Sequence, residues 1–108
     1  MQKEFNKSEI FNAVTAVEYT SGGIVSKNII KRDTGNVSLF AFDEGEQLSP
    51  HSAPYDALVQ VIEGTAEIKI EDQSYTLEAG ESIIMPANIT HSVYAADKFK
   101  MLLTMIKG

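Results

Sequence analysis

Gly80-Glu81-Ser82-Ile83-Ile84-Met85-Pro86-Ala87-Asn88-Ile89-Thr90-His91 is the stretch on which the fold turns, and Gly45-Glu46-Gln47-Leu48-Ser49-Pro50-His51-Ser52-Ala53 is its counterpart upstream. Each leaves a glycine, runs through a short segment, meets a proline and arrives at a histidine. Segments this short, bounded by Gly and Pro, are too brief for stable helices and suit strands ending in turns. The two histidines they carry are the only ones in the chain.

The same punctuation extends outward. From Gly22-Gly23 on, turn signals recur at Asp33-Thr34-Gly35-Asn36, Asp43-Glu44-Gly45, Glu63-Gly64, Glu71-Asp72-Gln73-Ser74, Glu78-Ala79-Gly80 and Ala96-Asp97-Lys98. Between them lie short runs of Val, Ile, Leu, Phe and Thr, the pattern of an all-β sandwich or barrel. No stretch is long enough and helical enough to serve as a crossover, so a parallel α/β sheet is excluded. Alternation assigns faces: Ala66, Ile68 and Ile70 inward, Thr65, Glu67 and Lys69 to water. Leu39-Phe40-Ala41-Phe42 and Leu58-Val59-Gln60-Val61-Ile62 are apolar on both faces, which predicts a covered exterior. A homodimer partner is the simplest cover and the N-terminal arm the fallback. That arm is assigned to residues 1–21, with the barrel over 22–108. Asn6 and Glu9 form a capping-box pattern, predicting a short helix over Ser8–Val14 with Ile10, Phe11 and Val14 on one face.

Bulk composition narrows the function. At 108 residues the chain is one domain. Nine Lys and Arg against fifteen Asp and Glu leave a net charge of −6, with the basic residues scattered. Neither nucleic acid nor an anionic membrane surface is an expected partner. The absence of cysteine removes disulfides, thiolate metal sites and thiol nucleophiles. The N-terminal residues lack the apolar core of a signal peptide, and the expectation is a soluble cytoplasmic protein.

The two glycine-to-histidine stretches resemble the paired motifs of the cupin superfamily, whose fold is a jelly-roll barrel, or double-stranded β-helix. Gly45, His51 and Gly64 keep the spacing of the first motif, while Ala53 stands where a second His belongs and Ala57 or Leu58 where a Glu belongs. Gly80, Pro86 and His91 keep the second motif, with Asn88 in place of a glycine and Ala95 in place of a final asparagine. The similarity covers roughly residues 37–105. It implies a pocket at the barrel mouth with His51 and His91 facing each other, and a metal site with only two of the family's four ligands.

The resemblance therefore leaves three functions open. One is a small-molecule binder whose pocket holds His51, Gln60, His91 and Met101. If position 58 points inward, so does Gln60, and a buried amide needs a partner. The second is a metal-dependent enzyme of the dioxygenase, decarboxylase or isomerase type, with one divalent ion (Ni, Zn, Fe or Mn) on His51 and His91, Gln60 as an auxiliary ligand and Asp56 a weaker candidate. The third is an interaction module with a vestigial pocket. Met85, Met101 and Met105 are candidates for a soft, adaptable pocket floor, and Tyr94 is expected to face outward. No serine near a histidine has an orienting carboxylate, so no catalytic residue is assigned.

Overall fold

In the computed structural model, which describes residues 5–107, eight strands follow one short helix. The helix α1 spans Ala13–Ala16; the strands are β1 (Ile24–Arg32), β2 (Gly35–Phe42), β3 (Gln47–His51), β4 (Asp56–Ile70), β5 (Gln73–Glu78), β6 (Ser82–Met85), β7 (His91–Tyr94) and β8 (Phe99–Ile106). All pairings are antiparallel, in the order β1-β2-β8-β4-β7-β3, with β5 and β6 also on β4.

The long strand β4 is the pivot. Its first half pairs with β8 and β6, and its second half, from Thr65, pairs with β5 and β7. The change of partners falls at Gly64, whose φ of +76° is unfavourable for a residue with a Cβ. A Cβ there would also run into the Lys98 carbonyl oxygen. One chain thus feeds both sheets of a jelly roll, whose facing surfaces enclose the interior.

Two apolar clusters lie on opposite faces of the β1-β2-β8-β4 sheet. The inner one contains Phe42, Ala57, Val59, Val61, Ala66, Ile68, Val93, Phe99 and Met101. Phe42 and Phe99 stack with ring centroids 4.5 Å apart. The outer one joins Leu39, Ala41 and Ile29 to Val17, with Phe5, Ala13, Ala16 and Tyr19 packed against it. The N-terminal segment is therefore the cover for Leu39 and Ala41. A row of outward residues in register, Ile84, Leu58, Thr104, Val37 and Ile30, continues beyond it. Ile84 and Ile30 in that row are exposed.

The helix lies later than the Ser8–Val14 expectation. Asn12 is its N-cap, its Oδ1 accepting from the amides of Val14 and Thr15 at 2.9 and 3.4 Å. The Asn6 amide donates to the Glu9 carboxylate side chain to side chain, and Ser8 at φ +61° interrupts any helix there. Ile10 is fully exposed, and Phe11 packs edge-on against Phe5.

A polar clasp fixes this segment. Lys100, 7% exposed on the outer face of β8, donates to the Val14 carbonyl and lies 3.7 Å from the Glu63 carboxylate. The Tyr19 phenol donates to the same carboxylate at 2.6 Å, and its ring sits under the Lys100 ammonium. Burial first, then the hydrogen bond and negative charge of Glu63, hold the Tyr19 phenol above its ordinary pKa. Lys27 donates to the Ala16 carbonyl at 2.7 Å, so two lysines satisfy carbonyls of a helix too short to satisfy them itself.

Candidate functional site

The sheet pairing brings the two histidines together. β3 and β7 pair in register at Leu48 with Val93 and again at His51 with His91. Between those points β3 takes one step more than β7, a bulge over Ser49-Pro50. Strict alternation from Leu48 would turn His51 away from the interior; the extra residue restores it, so Leu48 and His51 line the same cavity. Proline suits the bulge because it has no amide hydrogen for the ladder. The imidazole rings lie edge to face, centroids 4.5 Å apart and planes 71° from parallel.

The loops that carry the histidines are tied to each other. The Asn88 amide donates to the Ala53 carbonyl at 2.7 Å, and the Ala87 amide to the Asp56 carboxylate at 2.9 Å. Asn88 stands where the related motif has glycine, and its φ of +64° shows why: the loop needs a left-handed residue, and Asn is the side chain that best tolerates it. Asp56 is thus committed to a backbone amide and does not line the cavity.

The cavity measures about 280 Å³. Its walls are Phe40, Leu48, Ala53, Ala57, Met85, Val93, Met101, Leu103 and Met105, together with His51 and His91. Met101 and the other two methionine candidates are all in the lining. Tyr94 faces out, as its alternation with His91 and Val93 predicts.

Gln60 requires a correction. Ala57, Val59 and Val61 are the inward, buried residues of β4, so Leu58, Gln60 and Ile62 occupy the opposite face, and Gln60 is absent from the lining. The inward parity of β4 runs through Ala57 and not through residue 58, and Ala57 is the residue at the cavity wall. Both missing ligands of the related metal motif, Ala53 and Ala57, therefore point into the pocket as methyl groups.

Each imidazole has one nitrogen committed. Nδ1 of His51 meets the Ser49 carbonyl at 2.7 Å, and Nδ1 of His91 the Ile89 carbonyl at 3.2 Å. A carbonyl oxygen only accepts, so in the neutral form of each ring Nδ1 carries the proton and Nε2 keeps its lone pair. Among the described residues neither Nε2 has a hydrogen-bond partner. His51 is exposed at the mouth, while His91 is buried at 6% exposure. Burial, then the nearby His51, push the His91 pKa below its ordinary value, against the bond to Ile89.

The donor set does not fit a resident metal ion. Among the described residues no group of three or more His, Cys, Asp or Glu side chains converges anywhere. Two imidazoles backed by two alanines supply half of a closed coordination sphere, too little for tight retention. No helix among the described residues is long and apolar enough to cross a membrane.

Comparison with known proteins agrees with the geometry. The cupin domain profile matches residues 38–107. A conserved protein of unknown function from Streptococcus pyogenes is similar over 99% of this chain and 94% of its own, at 30% identity and a TM-score of 0.93. A cupin 2 conserved barrel domain protein from Leptotrichia buccalis is 41% identical with a TM-score of 0.87; the match covers 90% of this chain but 47% of that one. A cupin superfamily protein from Desulfitobacterium hafniense, 24% identical, superposes over 100% of this chain and 99% of its own with a TM-score of 0.91. No curated protein matches.

Proposed function

This chain belongs to the cupin superfamily, and from that premise we propose that it binds a small, largely apolar molecule in the barrel cavity, with His51 and His91 as the polar contacts. The observation that carries the reading is the lining: nine apolar side chains and two imidazoles around about 280 Å³. Ligand sites usually have this form, mostly apolar walls with a few convergent polar groups. An engineered apolar cavity of about 150 Å³ accommodates benzene, so a substituted single ring or a small bicycle suits this one. Met85, Met101 and Met105 add unbranched side chains that adapt to the guest's outline.

A metal-dependent enzyme is the less supported reading, because the alanines at 53 and 57 aim methyl groups where two ligands would be needed. A divalent ion on His51 and His91 would bind weakly and exchange readily. No step of the proposed function passes through it.

Thermal unfolding in the presence of small aromatic and alicyclic compounds tests the reading, since a ligand of the native state must raise the midpoint. At a concentration about a hundredfold above Kd the gain is about 2.7 kcal/mol. Elemental analysis of tag-free protein runs beside it, with a His51→Ala/His91→Ala variant as control. Stoichiometric metal lost in the variant, with no response to any organic compound, would replace the binder with the metal enzyme.

A further inference from the structure

The chemistry of the lining goes one step further and concerns which guests the cavity accepts. Resting on the binding reading above, we infer that the pocket selects a neutral guest carrying a hydrogen-bond donor, a phenol or other ring hydroxyl, because its side chains offer acceptors and no donors. The nine other lining residues have no polar hydrogen on their side chains. The polar hydrogens of the two imidazoles are on Nδ1, and both are held by the carbonyls of Ser49 and Ile89. What remains toward a guest is a pair of Nε2 lone pairs on rings 4.5 Å apart.

An acceptor-only site discriminates sharply. A hydroxyl on the guest satisfies an Nε2 and is satisfied by it. An ether or ketone oxygen placed there meets another lone pair and is left without its hydrogen bond. A carboxylate loses its hydration with no donor to replace it. An unsatisfied buried polar group costs about 1–3 kcal/mol, which is roughly five- to 140-fold in affinity. Ala53 and Ala57 sharpen the effect, since a carboxylate or a further imidazole at either position would add a polar group to a wall that is now methyl.

The test uses p-cresol and anisole, isomers of one formula of which only the first donates, titrated into the wild-type protein by calorimetry. p-Cresol is expected to bind roughly tenfold or more tightly than anisole, and benzoate more weakly than either. In a His51→Leu/His91→Leu variant the cresol-to-anisole ratio falls to about one while anisole binding persists. Equal affinities in the wild type overturn donor selection and leave the apolar-pocket reading standing, whereas failure of both isomers to bind overturns both. A ratio preserved in the double variant also overturns it. Nitrogen-15 NMR of the imidazoles provides a readout independent of the variant's folding. Nδ1-protonated rings in the ligand-free protein are expected, and an Nε2-protonated tautomer on both rings would refute the inference.

Discussion

The β1-β2-β8-β4 sheet is apolar on both faces, and the two faces have been finished differently. On the outside, Leu39 and Ala41 are sealed under Val17, with a clasp of Lys100, Glu63 and Tyr19 holding the covering segment in place. On the inside, Phe40 and Met101 are similarly apolar but face a hollow in which the facing sheet supplies two imidazoles. The outer face is covered over Leu39 and Ala41, whereas the inner face is packed around Phe42 and Phe99 and hollow beside His51 and His91. On the proposed reading, binding capacity comes from what stands across from an apolar wall, since both faces of the sheet carry apolar side chains.

Placing a charge under the covering segment gives the largest expected effect. Val17 is fully buried, so Val17→Asp puts an unpaired carboxylate against Leu39 and Ala41 and should cost about 3–5 kcal/mol in urea unfolding. A loss below about 1 kcal/mol would show that the segment lies loosely on the sheet and that the outer face is not closed. A finer contrast uses two alanines of the same sheet on opposite faces. Ala41→Leu forces extra atoms into packed surroundings and should cost about 1–3 kcal/mol. Ala57→Leu enters the cavity, should change stability by less than about 1 kcal/mol, and should weaken guest binding at least about tenfold. Equal penalties for the two substitutions would erase the distinction between the faces.

Much of this was legible in the sequence. Turn residues and alternation identify the strands, and the resemblance of the Gly45–His51 and Gly80–His91 stretches to the cupin motifs implies that the histidines meet. Apolar residues on both faces of Leu39–Phe42 correctly signal a cover, but alternation has no term for which chain provides it. Gln60 shows a second limit. A one-residue change in the parity anchor reverses every inward assignment on a strand, and β4 offered Ala57 and Leu58 as equal anchors. The bulge at Ser49-Pro50 is a third: an extra residue in a strand has no reliable signature when its partner strand is unknown. The clasp was invisible for a different reason, since Lys100 and Glu63 are ordinary surface residues until Tyr19 and the Val14 carbonyl arrive from far away in sequence.

The smallest expected effect concerns the imidazole at the boundary between hollow and core. His91 is held below its ordinary pKa, first by burial and then by His51. The unfolded chain, with His near 6.5, therefore binds a proton at a pH where the folded chain does not. Stability from this group is complete above about pH 6.5 and declines as the pH falls toward the lowered folded value. Asp43 acts in a separate window: backbone hydrogen bonds from Gly22 and Glu44 lower its pKa, so its contribution is lost only in stronger acid, below about pH 4. Urea unfolding between pH 7.5 and 5 should thus show a decline in wild type that is shallower in His91→Asn, with the two curves converging in slope above pH 7. Parallel curves across the whole range would mean that water reaches His91 as easily as it reaches the exposed His51. The inner face would then be an open trough, and the contrast with the sealed outer face would be one of depth alone.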